Sequence, residues 1–491
     1  MTTPDSPAAP STGSPGAADN LIYFNGIDGK TGQYAITPRT IDDLAGVARF
    51  NPRTESIAAT RGNTEVRSFG LPPGVDENKF DTAGWGVIFA DNAKPEIRAA
   101  LEQLLTIRRK AAGELFKIFD YKNGEQTRDW YIRQGVAPNQ LNPYVVPYYL
   151  LIVGGPDEVP FEFQYLLGVD YAVGRLSFST LDEYARYAQS VTNYESADNL
   201  ANAKSISYWG TRHLGDGATQ LSSSQLINPL ANGDSSQPGP AGKPAHANFG
   251  FGHDLFLGDD ATKAALLSKF TADRPPALLF TASHGMQFSV GQPEQLGSQG
   301  ALLCQDWPGF GRMGSDYYFT AADVPDNANV KGMVAFLFAC FAGGTPKVDQ
   351  FILTPGQRLA DLPSLASQPF VAALPQRLLT HPNGSALAVI AHVDRAWGCS
   401  IRSIGMKGSQ IAPFRNGLQF MMSGKPIGHV MRDQFGSRFA ALSAELLSLL
   451  GQDGPNVSDA VLVSRWLERN DAQNYVVLGD PAVRLRVDKL V

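Results

Sequence analysis

The chain is short of cysteine, of long apolar runs and of positive charge, and each shortage narrows what it can be. Three cysteines in 491 residues are too few for a disulfide framework and suit a reducing compartment. No apolar run approaches the roughly 18 residues that a membrane-spanning helix needs. Lys and Arg number 41 against 47 Asp and Glu, a net charge of −6, whereas a nucleic-acid-binding surface usually shows a basic excess. There is no His-Glu-x-x-His and no cysteine pair to hold a metal. The Gly-x-Ser-x-Gly elbow of serine hydrolases is also missing. Residues Met1 to Asn20 are rich in Pro, Ser, Ala and Gly without the basic-then-apolar order of a secretory signal, so they read as a disordered tail. The expectation is a cytoplasmic protein with no metal, cofactor, nucleic-acid partner or membrane span.

Apolar residues, by contrast, make up 43% of the chain and aromatics 10%, ample for two or three domains or subdomains at this length. The most informative stretch runs from Pro276 to Pro346. Ala277-Leu278-Leu279-Phe280-Thr281-Ala282-Ser283 leads into His284-Gly285, and Met333-Val334-Ala335-Phe336-Leu337-Phe338-Ala339 leads into Cys340. Short continuous apolar runs bounded by Gly and Pro are the mark of strands buried on both faces of a parallel sheet. Functional groups of such sheets collect beyond the carboxyl ends of the strands. Two such strands side by side bring an imidazole to a thiol, which is a nucleophile with its acid/base partner.

An apolar block ending in His-Gly, a spacer, and a second apolar block ending in Ala-Cys resembles the caspase–gingipain–separase class of cysteine peptidases. His284 precedes Cys340 by 56 residues, close to the roughly 50 of caspases. The caspase signature Gln-Ala-Cys-x-Gly is replaced by Phe338-Ala339-Cys340-Phe341-Ala342-Gly343, which turns the resemblance toward the bacterial gingipain-like and CHAT-domain branches. It implies a three-layer α/β fold with a mostly parallel sheet, in which a catalytic subdomain follows a related non-catalytic one. It also implies cysteine endopeptidase activity on a specific protein or peptide substrate in bacterial signalling or defence, with room for an activating partner. The oxyanion donors it implies are the backbone N–H groups of Gly285 and Cys340.

Earlier in the chain, Trp85–Ala90, Tyr148–Val153 and Tyr171–Leu176 read as strands. Pro95–Lys117 and the segment opened by Ser179-Thr180 read as helices. This strand–helix alternation gives an α/β layer over residues 80–197. Strand ends in Val-Gly-x-Pro and Val-Gly-Arg are similar to the non-catalytic half of gingipain-like peptidases. The expected units are therefore the tail 1–20, a region 21–200 and a catalytic domain 201–491. Gly29-Lys30-Thr31 does not complete a phosphate-binding loop, because Phe24 stands where glycine is required. Leu214 to Asn248, rich in Gly, Ser, Gln, Pro and Asn, reads as a long loop. Further on, Pro369–Leu379 and Val430–Leu450 read as helices. Ala386–Ala391 and Tyr475–Leu478 read as strands.

The resemblance places Gln305, Asp306 and Trp307 on a loop lining the cleft, and Asp394 and Arg395 at the strand end that shapes the specificity pocket. Glu162 and Asp170 are candidates to reach the cleft from the first subdomain. Asp394 and Arg395 have opposite implications for the residue cleaved, since an acidic pocket selects Lys or Arg and a basic one Asp or Glu; gingipain relatives favour basic residues. The remaining cysteines, Cys304 and Cys399, read as core residues. His213, His246, His253, His381 and His429 read as structural, and His392 is the rival base. No third triad member is identifiable. The competing reading is a catalytically silent scaffold that binds partner proteins through the same cleft.

Overall fold

The computed structural model describes residues 21–491 except 24, 51–70, 138–139, 310–311, 350–361, 405–407 and 452–456, so the expected tail 1–20 lies outside the described residues. Ten strands share one sheet. In chain order they are β1 (Trp85–Ala90), β2 (Phe116–Tyr121), β3 (Tyr149–Val153), β4 (Ala172–Leu176), β5 (Ala203–Gly210), β6 (Gly252–Leu257), β7 (Pro276–Ala282), β8 (Val334–Phe338), β9 (Ala388–His392) and β10 (Tyr475–Gly479). Their spatial order is β2-β1-β3-β4-β10-β9-β8-β7-β5-β6. Every neighbouring pair that does not involve β10 is parallel. The last strand enters between the two halves, antiparallel to β9 and with Leu478 opposite Arg175 of β4.

Alternate residues of the buried strands face different cores, which makes the fold three-layered. Val87, Tyr149 and Leu151 pack with Leu104 and Tyr187, whereas Ile88, Leu150 and Ile152 pack with Trp130 and Phe163. The helix Leu181–Ser196 starts on a capping box in which Thr180 and Glu183 bond each other's backbone N–H. The fold is thus mixed α/β around a mostly parallel sheet, as the strand–helix alternation implies. Among the described residues no helix is long and apolar enough to cross a membrane.

Three local readings are corrected. The helix expected over Pro95–Lys117 is Pro95–Ala100 followed by Glu102–Ala112. Gly113, at φ +55°, ends it, and Phe116 begins β2, which pairs along the whole of β1. Within Pro369–Leu379, Phe370–Val371 pairs with Gly344–Thr345 and the helix begins only at Ala373. The supposed loop 214–248 contains the consecutive helical segments Gly217–Ser222, Ser223–Ile227 and Asn228–Asn232. They bury Leu226, Ile227, Leu230 and Ala231. Apolar spacing there prevails over a loop-like composition.

Candidate active site

Three adjacent strands end at one level. Gly210 of β5 is opposite Ala282 of β7, and Ala282 is opposite Phe338 of β8. Beyond those ends the chain delivers Asp216, His284 and Cys340. The ends of β7 and β8 stay joined for one more residue, because Ser283 N–H donates to the Phe338 carbonyl at 3.1 Å. The next step demands glycine: a Cβ on Gly285 would lie 1.8 Å from the Cys340 carbonyl oxygen. No L side chain fits a backbone approach that close.

His284 is fully buried, and its Nε2 lies 2.6 Å from Asp216 Oδ2. Asp216 caps the helix Gly217–Ser222 by accepting from Ala218 N–H at 3.2 Å. Its carboxylate also accepts from the Thr219 hydroxyl at 2.6 Å and from the Tyr34 hydroxyl. Burial alone would raise the Asp216 pKa, but the His284 charge and the bonds from His284, Thr219 and Tyr34 bring it below the ordinary carboxylate range. An ionised Asp216 fixes the ring proton on Nε2. The Nδ1 lone pair has no hydrogen-bond partner among the described residues and is left to accept a proton. Nearby His213 is held neutral, its pKa lowered to about 4 by burial and then by the His284 charge.

Cys340 is also fully buried. Its sulfur accepts from Ala396 N–H at 3.2 Å, and burial pushes its pKa up to about 12 against the pull of that bond and of Arg395. In this state the thiol is protonated. The backbone around it is strained: Phe341 and Asp394 have φ of +58° and +70°, a region that non-glycine residues rarely enter. Phe341 N–H donates to the Asp394 carbonyl at 2.6 Å, tying the two residues together. The amino-terminal strand Gly26–Asp28 covers this edge, pairing parallel with Gly285–Gln287.

The residues expected to bind substrate are distributed as follows. Asp394 accepts from Arg395 N–H at 2.9 Å, and Arg395 forms a two-point pair with Asp349 at 2.8 Å for each bond. Gln305 bonds both backbone groups of Arg212, at 2.7 and 3.1 Å, and so steadies the turn that carries Asp216. Asp306 caps the helix Lys263–Phe270 through Lys263 N–H at 2.7 Å. Trp307 is buried edge-on to His213, with ring centroids 5.3 Å apart. Glu162 is exposed in the first turn of the helix Phe161–Leu167. The Phe161 ring abuts Gly344, where a Cβ would meet it at 2.6 Å. Asp170 is buried and accepts from the Tyr131 hydroxyl at 3.3 Å. His392, the rival base, lies 3.3 Å from Asp471. Cys304 and Cys399 are buried free thiols with raised pKa. Among the described residues no group of three or more His, Cys, Asp or Glu could hold a metal ion.

Sequence reasoning missed Asp216, inside the supposed loop. The signal was Asp216-Gly217-Ala218-Thr219, a capping residue just after a strand that ends beside the His284 strand.

No family model matches the chain, and no curated protein matches it. Solved structures similar to it include the Arg-specific cysteine proteinase gingipain R (RGPB), at 13% identity and TM-score 0.44 over 85% of this chain and 81% of that one. Another, described only as a protease, has 12% identity and TM-score 0.46 over 87% and 81%. A complex of the Porphyromonas gingivalis RgpB pro- and mature domains has 11% identity and TM-score 0.41 over 82% and 80%. Likeness at this level establishes neither a family nor an activity.

Proposed function

We propose that the chain is a cysteine endopeptidase in which Cys340 is the nucleophile, His284 its base and then acid, and Asp216 the residue that orients His284. The observation that carries this reading is the His284–Asp216 bond, which leaves Nδ1 unpartnered on the strand end next to Cys340. His284 Nδ1 takes the thiol proton and the thiolate attacks a peptide carbonyl. The imidazolium then protonates the departing amine, and water hydrolyses the thioester. The Gly285 and Cys340 N–H groups are assigned to the developing oxyanion, where each donor is worth about 3–4 kcal/mol of barrier. A catalytic domain beginning near residue 201, cytoplasmic location and a role in bacterial signalling or defence belong to the same proposal. A basic residue before the cleaved bond draws no support from Asp394, whose carboxylate is turned to Arg395.

Complete burial of Cys340 favours the scaffold reading, in which the same cleft binds partners without chemistry. Hydrolysis of fluorogenic peptides ending in Arg, Lys, Asn, Asp or Leu separates the two. At least one peptide should be cleaved by the wild type and none by Cys340→Ala, with His284→Ala slower by roughly 10²–10⁴-fold. Equal rates for wild type and Cys340→Ala would contradict the assignment.

A further inference from the structure

The segment from Asn25 to Ala35 occupies the candidate active site. Gly26 is opposite Gly285 in the parallel pairing, and the chain then folds back so that Ala35 N–H donates to the Gly26 carbonyl at 2.9 Å. Asp28 holds the turn by accepting from the N–H groups of Lys30 and Thr31 at 3.1 and 2.8 Å. The Thr31 hydroxyl adds a third bond to the same oxygen at 2.8 Å.

Asn25 and Gly26 lie against the groups assigned to catalysis. The Asn25 carbonyl accepts from Gly285 N–H at 3.3 Å, one of the donors assigned to the oxyanion. Asn25 N–H donates to the Ala396 carbonyl at 3.3 Å, and Ala396 N–H in turn bonds the Cys340 sulfur. The Asn25 side-chain amide donates to the Ser283 carbonyl at 3.1 Å, and the residue is buried. Gly26 lies against the thiol, since a Cβ there would be 3.4 Å from Sγ. On the returning arm, Tyr34 bonds Asp216 and packs edge-on to the His284 ring at 5.5 Å between centroids. One short segment therefore meets an oxyanion donor, the thiol, the imidazole and the carboxylate.

We infer that Asn25–Gly26 is the chain's own cleavage site, and that the uncut segment keeps other substrates out of the cleft. The inference rests on the peptidase reading. Cys340 gives its proton to His284 and its sulfur bonds the Asn25 carbonyl carbon. The C–N bond to Gly26 breaks as the nitrogen takes that proton, leaving a free amino group on Gly26. Water then replaces the sulfur, leaving a carboxylate on Asn25 and restoring the thiol. An uncharged amide side chain is thus the kind this pocket receives before the cut.

The test follows intact mass and amino-terminal sequence of the full-length protein over time, with hydrolysis of a fluorogenic peptide ending in Asn measured in parallel. The wild type should acquire a new terminus at Gly26, with peptidase activity rising as it forms. Cys340→Ala should stay whole. Asn25→Gln, one methylene longer, should slow the cut roughly tenfold or more. A wild-type chain that hydrolyses the peptide through Cys340 but keeps residues 25 and 26 joined, or is cut elsewhere, overturns the inference and leaves the peptidase reading standing. An uncut chain as inert as Cys340→Ala overturns both.

Discussion

Asp216 takes hydrogen bonds from an imidazole, two hydroxyls and a backbone N–H, and its lowered pKa has a signed consequence. A carboxyl whose folded pKa lies below its unfolded value of about 3.9 contributes stability that is complete above about pH 4 and is lost as acid is added below it. Asp216→Asn should flatten that acid limb in denaturant titrations and cut kcat by roughly 10²–10⁴-fold, as when a base loses its orienting carboxylate. An unchanged acid limb with full activity would remove Asp216 from the account. His213 gives a second window: buried and neutral, with its pKa lowered to about 4, it stabilises fully above its unfolded value near 6.5. That contribution fades as the pH falls from there toward about 4. His213→Gln should weaken the pH dependence in this range, and an identical slope would contradict it. The sequence marked His284 and Cys340 because each follows a short, mainly apolar run. It hid Asp216 because a capping aspartate among Gly, Ser, Gln and Asn looks like loop.

At the scale of elements, the joint between β7 and β8 depends on Gly285. Gly285→Ala would drive a methyl group into the Cys340 carbonyl, so the two strand ends must part. We expect a folded protein whose peptidase rate falls by at least about 10²-fold, the cost of a misplacement of about 1 Å. A rate near wild type would show that the contact is relaxed in solution. The central strands were legible because they are apolar on both faces, and β1, β3 and β8 lie within the runs the sequence marks. The edge strands were not. β2 carries exposed or half-buried residues at every position but Tyr121, and β6 has no fully buried residue, so neither shows a continuous apolar run.

Across the whole molecule, β10 makes one sheet of two halves, and the residue after it fastens them. Asp480 is fully buried and accepts from Trp85 Nε1 at 3.0 Å and Arg108 Nε at 2.6 Å. Arg108 continues to Glu195 at 2.8 Å. Removing Asp480 leaves the buried Trp85 Nε1–H and Arg108 Nε–H without their acceptor, at roughly 1–3 kcal/mol each, while Glu195 still compensates the Arg108 charge. Asp480→Ala should therefore lower the denaturation midpoint sharply without touching the site at the far halves of β7 and β8. A shift no larger than that of a surface substitution would argue against the fastening. This junction could not be read from sequence, since Trp85, Arg108, Glu195 and Asp480 are distant in the chain and carry no local pattern.

The most direct test of the central claim is to find which residue a peptidyl electrophile modifies, using probes ending in Asn, Arg, Lys, Asp or Leu and mapping the adduct by mass. The account predicts an adduct on Cys340, formed once the Asn25–Gly26 bond is cut and strongly reduced in His284→Ala and Asp216→Asn. Modification of Cys304 or Cys399 instead, or equal labelling of the His284→Ala variant, would contradict it.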